Sequence, residues 1–228
     1  MPPSIGGFFI ERIPFILHEY EPLFYLREEE IDGIKPWCWQ ISDTQAWDGP
    51  KHNWLTSHRN AIAKYVKKFD CVVQAGGNHG MYPRLLADKF NVVYTFEPDP
   101  WNYFALVNNC QKDNIIKLQA ALGEDNKMVS VRRSDMCNTG MHKVADQEDS
   151  VIPMFILDSF QLKCLDFLWL DVEGYEDKVL KGAAKSIEQH HPVIFCEHGH
   201  KDIDKFLAQY GYENIGASEM DTIYIIPK

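Results

Sequence analysis

The sequence predicts an α/β fold in which helices cover both faces of a mostly parallel sheet. From Trp54 onward, short continuous apolar runs alternate with amphipathic segments, a pattern typical of parallel strands that are buried on both faces. A glycine-rich stretch, residues 76–80, follows the first apolar run. Ligands of such sheets bind at the carboxyl ends of the strands, so this stretch lies where a binding loop is expected.

Each element follows from a local pattern. The spacing of apolar residues predicts helices over 54–69, 81–90, 99–113, 175–187 and 201–211. Apolar runs predict main strands over 70–75, 91–97, 115–122, 165–173 and 192–199, with an extra strand at 127–133 and a final strand at 221–228. Asp99 is suited to cap the third helix, because Pro100 follows it at the first helical position.

Residues 1–53 differ in composition from the rest of the chain. They are rich in Pro, Trp and acidic residues. We predict an N-terminal extension here, either a structural cover or a substrate-recognition lid, before a main domain over 54–228. Stretches 8–17 and 21–28 could pair as short strands. The Trp residues of this half could pack in the core or form a stacking surface.

Composition limits the function classes. The chain has 228 residues and a formal net charge of −10, which disfavours partners rich in phosphate, such as nucleic acids or anionic membranes. No apolar run is long enough to cross a membrane, and the N-terminus lacks the features of a secretory leader. The six cysteines form no CxxC pair, which favours a reducing, cytoplasmic compartment.

The glycine stretch and Glu97 together predict an adenosine-type ligand. Without Cβ atoms, "VVQAGGNHGMY" (72–82) can turn sharply against a ligand, although a tight turn without a ligand stays an alternative. Glu97 ends the second predicted strand, where an acidic residue can accept hydrogen bonds from a ribose diol; a solvated carboxylate is the other interpretation. These two features do not separate a nicotinamide cofactor from S-adenosylmethionine.

Two further carboxylates favour a cationic ligand group. Asp171 and Glu173 follow the fourth main strand, in "LDVEGYE" (170–176). If that strand lies beside the first, they converge on the glycine stretch and attract positive charge, such as the sulfonium and ammonium of S-adenosylmethionine. Hydride transfer to a nicotinamide needs neither group. Acids that merely decorate a helix N-terminus are the alternative.

Five separated stretches of the chain form one pattern, in the order "VVQAGGNHGMY", "YTFEPDPWNYFALVNN", "LQAALGE", "ILDSF" and "DFLWLDVEGYEDKVLKGA". Together they resemble the FkbM family of S-adenosylmethionine-dependent methyltransferases. The resemblance covers about residues 60–228 and leaves 1–53 out. It implies a Rossmann-like class I methyltransferase fold with a seven-stranded sheet in the order 3-2-1-4-5-7-6, the last strand antiparallel.

The resemblance also implies roles for individual residues. Those assigned to the cofactor are Gln74, Gly76, Gly77, Asn78 and Gly80 at the glycine stretch, Glu97, Pro98 and Asp99 near the ribose, Ala121 and Leu122 near the adenine, and Asp171 near the methyl group. Asp171 and Glu173 are the catalytic candidates. Three positions depart from the family pattern. The family usually has an acid where this chain has Gln74, an Ala where it has Gly77 and a Lys where it has Trp169.

The predicted reaction is O-methylation of a small-molecule or glycan hydroxyl by a monomer or homodimer, with nucleic acid disfavoured as the acceptor. A general base is expected near the methyl group; His79 is a third candidate, although an exposed loop histidine is the simpler interpretation. Glu197, His198 and His200 could bind metal, face the substrate or be ordinary strand-end residues, and we predict no metal. An NAD-type oxidoreductase and a degenerate, non-catalytic binding module are the alternative functions.

Overall fold

The computed structural model describes residues 24–28, 30, 35–44, 54–135, 137–145 and 151–227. The helices are α1 (Trp54–Tyr65), α2 (Met81–Leu86), α3 (Pro100–Asn109), α4 (Glu176–Gly182), α5 (Ala184–His190) and α6 (Lys201–Ala208). The strands are β1 (Phe24–Arg27), β2 (Trp37–Gln40), β3 (Cys71–Ala75), β4 (Val92–Phe96), β5 (Ile115–Leu118), β6 (Ala121–Leu122), β7 (Lys127–Arg132), β8 (Lys143–Ala145), β9 (Ile152–Phe155), β10 (Phe167–Leu170), β11 (Val193–Glu197), β12 (Glu213–Ser218) and β13 (Asp221–Ile225). None of the described helices has the length and apolar character that crossing a membrane requires.

A seven-stranded mixed sheet forms the centre of the molecule. Its strands lie in the order β12-β13-β11-β10-β3-β4-β5. The five strands from β11 to β5 are parallel, and β13 runs antiparallel to both of its neighbours. Counted along the chain from β3, this is 3-2-1-4-5-7-6, which agrees with the order that the resemblance implies. The switch point lies between β3 and β10.

Successive residues of β3 pack into two separate hydrophobic cores, one on each face of the sheet. Val72 packs with α1, α2 and α3 on one face of the sheet, whereas Val73 packs with α4, α5 and α6 on the other. Both side chains are fully buried, as expected for a central parallel strand, and each contributes about 1.5–3 kcal/mol through burial. The helices therefore hold β3 and β10 from both faces, and the ends of these strands are fixed.

Some predicted elements differ from the structure. The predicted strand 115–122 is two strands, because the chain bends after Leu118 and enters a second, four-stranded sheet in the order β6-β9-β7-β8. The predicted helix 175–187 is divided at Ala183 into α4 and α5. Apolar patterning missed β12, an edge strand whose residues are mostly exposed.

β1 and β2 form an N-terminal hairpin that packs against α2 and α3. β1 lies within 21–28 and pairs with β2, while residues 8–17 lie outside the described residues. β2 is buried along its whole length, and its Trp37 and Trp39 pack against Met81, Tyr82 and Leu85. Asn109 of α3 accepts a hydrogen bond from the Cys38 N–H at 2.6 Å and donates one to the Cys38 carbonyl at 2.9 Å.

Candidate active site

A cleft of about 440 Å³ opens at the carboxyl ends of β3, β4, β10 and β11. Most of the predicted site residues line it, namely Gly76, Gly77, Asn78, Glu97, Pro98, Ala121, Leu122, Asp171 and Glu173. Parallel strands bring their carboxyl ends to one edge of the sheet, and this is why residues from four distant stretches meet there.

The glycines allow the chain to approach itself. Gly76 has φ +88°, and a Cβ atom there would lie 1.7 Å from the Asp171 carbonyl oxygen. A Cβ atom on Gly77 would lie 2.3 Å from a methyl group of Leu106. The N–H groups of Gly76 and Gly77 donate to the Phe96 carbonyl at 3.0 and 2.9 Å. The protein's own packing therefore requires glycine at position 76, whereas a side chain at position 77 would need Leu106 and Thr95 to shift.

Two predicted cofactor residues at this loop lie behind the cleft surface. Gln74 is fully buried; its amide donates to the Gly76 carbonyl at 2.8 Å and accepts from the Thr95 hydroxyl at 2.8 Å. Gly80 packs against α3, where a Cβ atom would lie 2.7 Å from Cys110 Sγ. Gln74 thus holds the glycine loop from below, a role that needs hydrogen bonds but no charge.

Glu97 joins the glycine loop to the turn after β4. One carboxylate oxygen accepts from the Asn78 N–H at 2.7 Å and the other from the Asp99 N–H at 2.8 Å. Each oxygen keeps lone-pair capacity toward the cleft, so Glu97 can accept further hydrogen bonds from a ligand. Burial raises the pKa of Glu97 to about 8.

Asp99, also predicted to bind the cofactor, instead fastens a loop to α3. Its carboxylate caps the helix by accepting from the Trp101 N–H at 2.7 Å. It also binds Arg133 Nε at 2.7 Å and His142 Nδ1 at 3.0 Å. Burial opposes ionisation, but the hydrogen bonds from His142 and Arg133 outweigh it and hold the pKa of Asp99 well below its usual range. This arrangement places residues 138–142 against the cleft.

Three carboxyl groups lie together on the other side of the cleft. Oxygens of Asp171, Glu173 and Glu197 lie within 4.8 Å of one another. Burial, and then the Glu197 carboxylate, raise the pKa values of Asp171 and Glu173, that of Asp171 well above its usual range. Such a group favours a ligand that brings positive charge or hydrogen-bond donors.

Glu197 is the member of this cluster that the predicted site left out. The sequence placed it with His198 and His200, but the structure places it beside Asp171, because β10 and β11 are neighbours. His198 Nε2 lies 3.4 Å from Glu197 Oε1, and His200 stands outside the cleft lining, at the residue before α6.

The turn after β10 is held in an uncommon backbone conformation. Glu173 has φ +56°, a region that non-glycine residues seldom adopt. The buried Glu176 carboxylate accepts from the N–H groups of Val172 at 3.1 Å and Gly174 at 3.2 Å, and so fixes this turn. Asn78 and His198, which also line the cleft, have positive φ as well. Backbone strain of this kind is often retained at functional sites.

His79 is buried, so its interpretation as an exposed loop histidine is wrong. Only 1% of the residue is accessible, and its Nε2 lies 2.9 Å from Gln40 Nε2 of β2. Burial lowers the pKa of His79 to about 3. An imidazole with that pKa is a weak base at neutral pH, which counts against His79 as the general base.

The N-terminal hairpin forms part of the cleft through a buried polar network. Gln40 donates to Asn102 at 2.7 Å, and Asn102 donates to the Thr139 carbonyl at 3.1 Å. Asp43 accepts from the N–H and the hydroxyl of Thr139, both at 3.2 Å. Trp39 lines the cleft directly. Sequence patterns gave no sign of these contacts, because they join residues that lie far apart in the chain.

Trp169 also lies behind the cleft. Its indole N–H donates to Asp221 Oδ2 at 3.2 Å, and the same oxygen lies 2.6 Å from His58 Nε2. Tyr82 stacks near the indole ring at a centroid distance of 4.2 Å. Trp169 thus belongs to a buried cluster between the sheet and α1.

Comparison with known proteins agrees with this architecture. The model of the methyltransferase FkbM domain matches residues 74–213. A hexuronic acid methyltransferase of Haloferax volcanii, AglP, is 27% identical over 157 residues, and the match spans 65% of each protein.

One solved structure has a similar fold at low sequence identity, and a second match has a lower TM-score. Trm5b from Pyrococcus abyssi is 14% identical with a TM-score of 0.50, over 89% of this chain and 54% of that one. Methyltransferase FkbM from Methylobacillus flagellatus is 20% identical with a TM-score of 0.48, over 69% and 43%. The domain match covers more than half of the sequence, and the chain therefore belongs to the methyltransferase FkbM family, as the resemblance predicts.

Proposed function

We propose that the protein is an S-adenosylmethionine-dependent methyltransferase that methylates a hydroxyl of a small molecule or glycan. One observation carries the proposal: a single cleft combines Glu97 beside the glycine loop with the carboxyl cluster of Asp171, Glu173 and Glu197. Family membership supports both the enzyme class and the cofactor.

The residues of the cleft fit this cofactor. The volume of about 440 Å³ lies in the range of small-molecule sites. Glu97 can accept hydrogen bonds from a ribose diol, and the apolar Ala121 and Leu122 suit the adenine. The carboxyl cluster suits a ligand with a sulfonium and an ammonium group, because opposite charges attract strongly where water is scarce.

The chain's own residues would orient the acceptor and take up its proton. When bound, S-adenosylmethionine would supply an electrophilic methyl group to the acceptor oxygen, and the sulfur would keep the electron pair of the broken carbon–sulfur bond. Asp171 or Glu173 accepts the hydroxyl proton. Their raised pKa values move these carboxylates toward the operating pH, where a general base is most effective. Alignment of the acceptor supplies much of the remaining rate enhancement.

The two alternative functions have less support. A nicotinamide cofactor gives no reason for three adjacent carboxyl groups. A non-catalytic module was suggested by the departures at Gln74 and Trp169, yet both side chains make buried hydrogen bonds that support the frame of the cleft. The name of the relative AglP supports a glycan acceptor, although the match spans only 65% of that protein.

Calorimetry tests the cofactor, and product analysis tests the reaction. We expect S-adenosylmethionine to bind in the micromolar range, while NADH gives no heat. Incubation with acceptors should release S-adenosylhomocysteine and place the labelled methyl group on oxygen. Binding of NADH in preference to S-adenosylmethionine would refute the proposal.

A further inference from the structure

The acidic side chains of the cleft have no basic counterpart among the described residues apart from histidine. Four carboxyl groups line it, from Glu97, Asp171, Glu173 and Glu197. Within the part of the chain that the structure describes, no lysine or arginine lines the cleft. An anionic group of an acceptor would therefore approach several carboxyl groups and no lysine or arginine of the described chain, and the only compensating charge would be that of the bound cofactor.

The cations nearest the cleft have other partners or face solvent. Arg133 binds Asp99 and lies over the Trp101 ring at 3.8 Å. Lys178 lies over the Tyr175 ring at 4.3 Å, and Lys143 is exposed beyond Glu173.

The imidazoles offer no substitute. His79 is buried and neutral, since burial lowers its pKa to about 3. His142 is held by Asp99 at 3.0 Å. His198 lies beside Glu197, and most of its side chain is in solvent.

Two hydrogen-bond acceptors that line the cleft lack partners. Glu197 Oε2 and Asn78 Oδ1 are shielded from solvent, and neither has a hydrogen-bond partner among the described residues. Both residues line the cleft. A buried acceptor without a donor costs free energy, so the ligand that completes this site must bring O–H or N–H groups. A carboxylate or phosphate brings only further acceptors.

Apolar side chains also line the cleft. Tyr82 and Tyr175 line it, as do Met141 and Met220, which are 41% and 57% exposed. Aromatic and thioether groups pack well against the C–H faces of a sugar ring, and they need no charge on the ligand.

We infer that the methyl acceptor is an uncharged polyol, a neutral sugar rather than a hexuronate or a sugar phosphate. The inference rests on the proposed function and narrows its substrate class. It separates this chain from its relative AglP, whose name specifies a hexuronic acid. A hexuronate carries its carboxylate on the sugar ring itself, so that charge would enter the same cleft as the reacting hydroxyl.

Matched sugars test the inference. The purified chain, with S-adenosylmethionine carrying a labelled methyl group, is given methyl glucoside and methyl glucuronide, and the corresponding galacto and manno pairs. We expect a neutral member to be methylated at least about tenfold faster than its hexuronate partner, because like charges repel in a poorly solvated site. Equal or faster methylation of the hexuronates overturns the inference, and so does methylation of no neutral sugar.

A charge-neutral variant sharpens the test. Glu197→Gln should narrow the preference for the neutral sugar by about threefold or more, since it removes one carboxylate from the cleft. Glu213→Gln, on the exposed edge strand β12, is the matched control and should leave the ratio unchanged. An unchanged ratio in Glu197→Gln contradicts the inference.

Calorimetric titration of the same preparations with S-adenosylmethionine separates the two proposals. If the cofactor does not bind, the proposed function fails. If it binds and the hexuronates are the better acceptors, only the inference about the acceptor fails.

Discussion

The two walls of the cleft use the same chemical group in opposite ways. We call the ends of β3 and β4, with the glycine loop and Glu97, the first wall, and the ends of β10 and β11, with Asp171, Glu173 and Glu197, the second wall. On the first wall, two backbone N–H groups satisfy the Glu97 carboxylate. On the second wall, the carboxyl groups face one another, and Glu197 Oε2 lacks a donor.

The difference shows which wall depends on a ligand. The folded chain by itself supplies donors to both oxygens of Glu97, so this carboxylate is preorganised. The second wall keeps groups that disfavour the folded state, and such groups usually persist because function requires them. Acids placed in contrasting environments can take different roles, one as a fixed acceptor and others as proton acceptors.

The largest expected effect is on stability, and it comes from a substitution at Gly76, where the two walls meet. Gly76→Ala places a methyl group 1.7 Å from the Asp171 carbonyl, at φ +88°, and should cost at least about 3 kcal/mol of unfolding free energy. Gly174→Ala is the matched control. It has φ +92° but open space around its Cβ position, and should cost only about 1–2 kcal/mol. Chemical denaturation measures both, and equal losses would show that the contact with Asp171 is unimportant.

Asp171→Asn should separate activity from stability. Loss of the carboxylate should lower turnover by about 100-fold or more, as expected for a general base. Because the folded-state pKa of Asp171 lies above its unfolded value, ionisation of this group destabilises the fold increasingly as pH rises. The variant should therefore be more stable than the parent at pH 8, by about 1 kcal/mol, and should gain little near pH 4.

Asp99→Asn is the matched control for that prediction. The folded-state pKa of Asp99 lies below its unfolded value, so its stabilisation is present above the unfolded pKa and is lost in acid. The variant should lose about 3 kcal/mol at pH 8, because Arg133 and His142 keep no carboxylate partner. Thermal unfolding at both pH values distinguishes the variants, and a shift of the same sign in both would contradict the contrast between an acid whose ionisation stabilises the fold and one whose ionisation destabilises it.

Adenosine binding should report on the first wall. The ionised Glu97 carboxylate is the form that accepts both hydroxyls of a ribose, and burial raises its pKa to about 8. The affinity for adenosine should therefore rise by roughly tenfold per unit between about pH 6 and pH 8, and level off above that. Adenosine has no group of its own that titrates in this range. Glu97→Gln should remove the pH dependence, and a flat profile in the parent protein would show that ionised Glu97 is not required.

Sequence patterns predict the parts of this molecule that local periodicity specifies. Buried parallel strands such as β3 and β10 are continuous apolar runs, and each one ends at a polar turn that lines the cleft. The approximate positions of Glu97, Asp171 and Glu173 follow from this rule alone, because parallel strands share one functional edge.

Sequence patterns do not reveal contacts between residues that lie far apart in the chain. Gln40 and His79 lie 39 positions apart and meet only after the hairpin packs on α3. Glu197 joins Asp171 because two strands are neighbours in the sheet, and β12 is exposed enough to lack an apolar pattern. Each of these depends on tertiary packing, which period and propensity do not encode.

Substitution of Trp169 has the smallest expected effect on ligand binding and tests how far the second wall extends. Asp221 lies behind the second wall, and both Trp169 and His58 contact its carboxylate. This acid, which does not face the cleft, therefore has hydrogen-bond partners within the chain. Trp169→Phe removes one hydrogen bond and some buried volume, and should cost about 2 kcal/mol of unfolding free energy. The affinity for S-adenosylmethionine should stay within about twofold, since the indole does not line the cleft. A much larger loss of affinity, measured by calorimetry on the folded variant, would mean that the buried cluster sets the position of Asp171 and that the second wall extends deeper than its carboxyl groups.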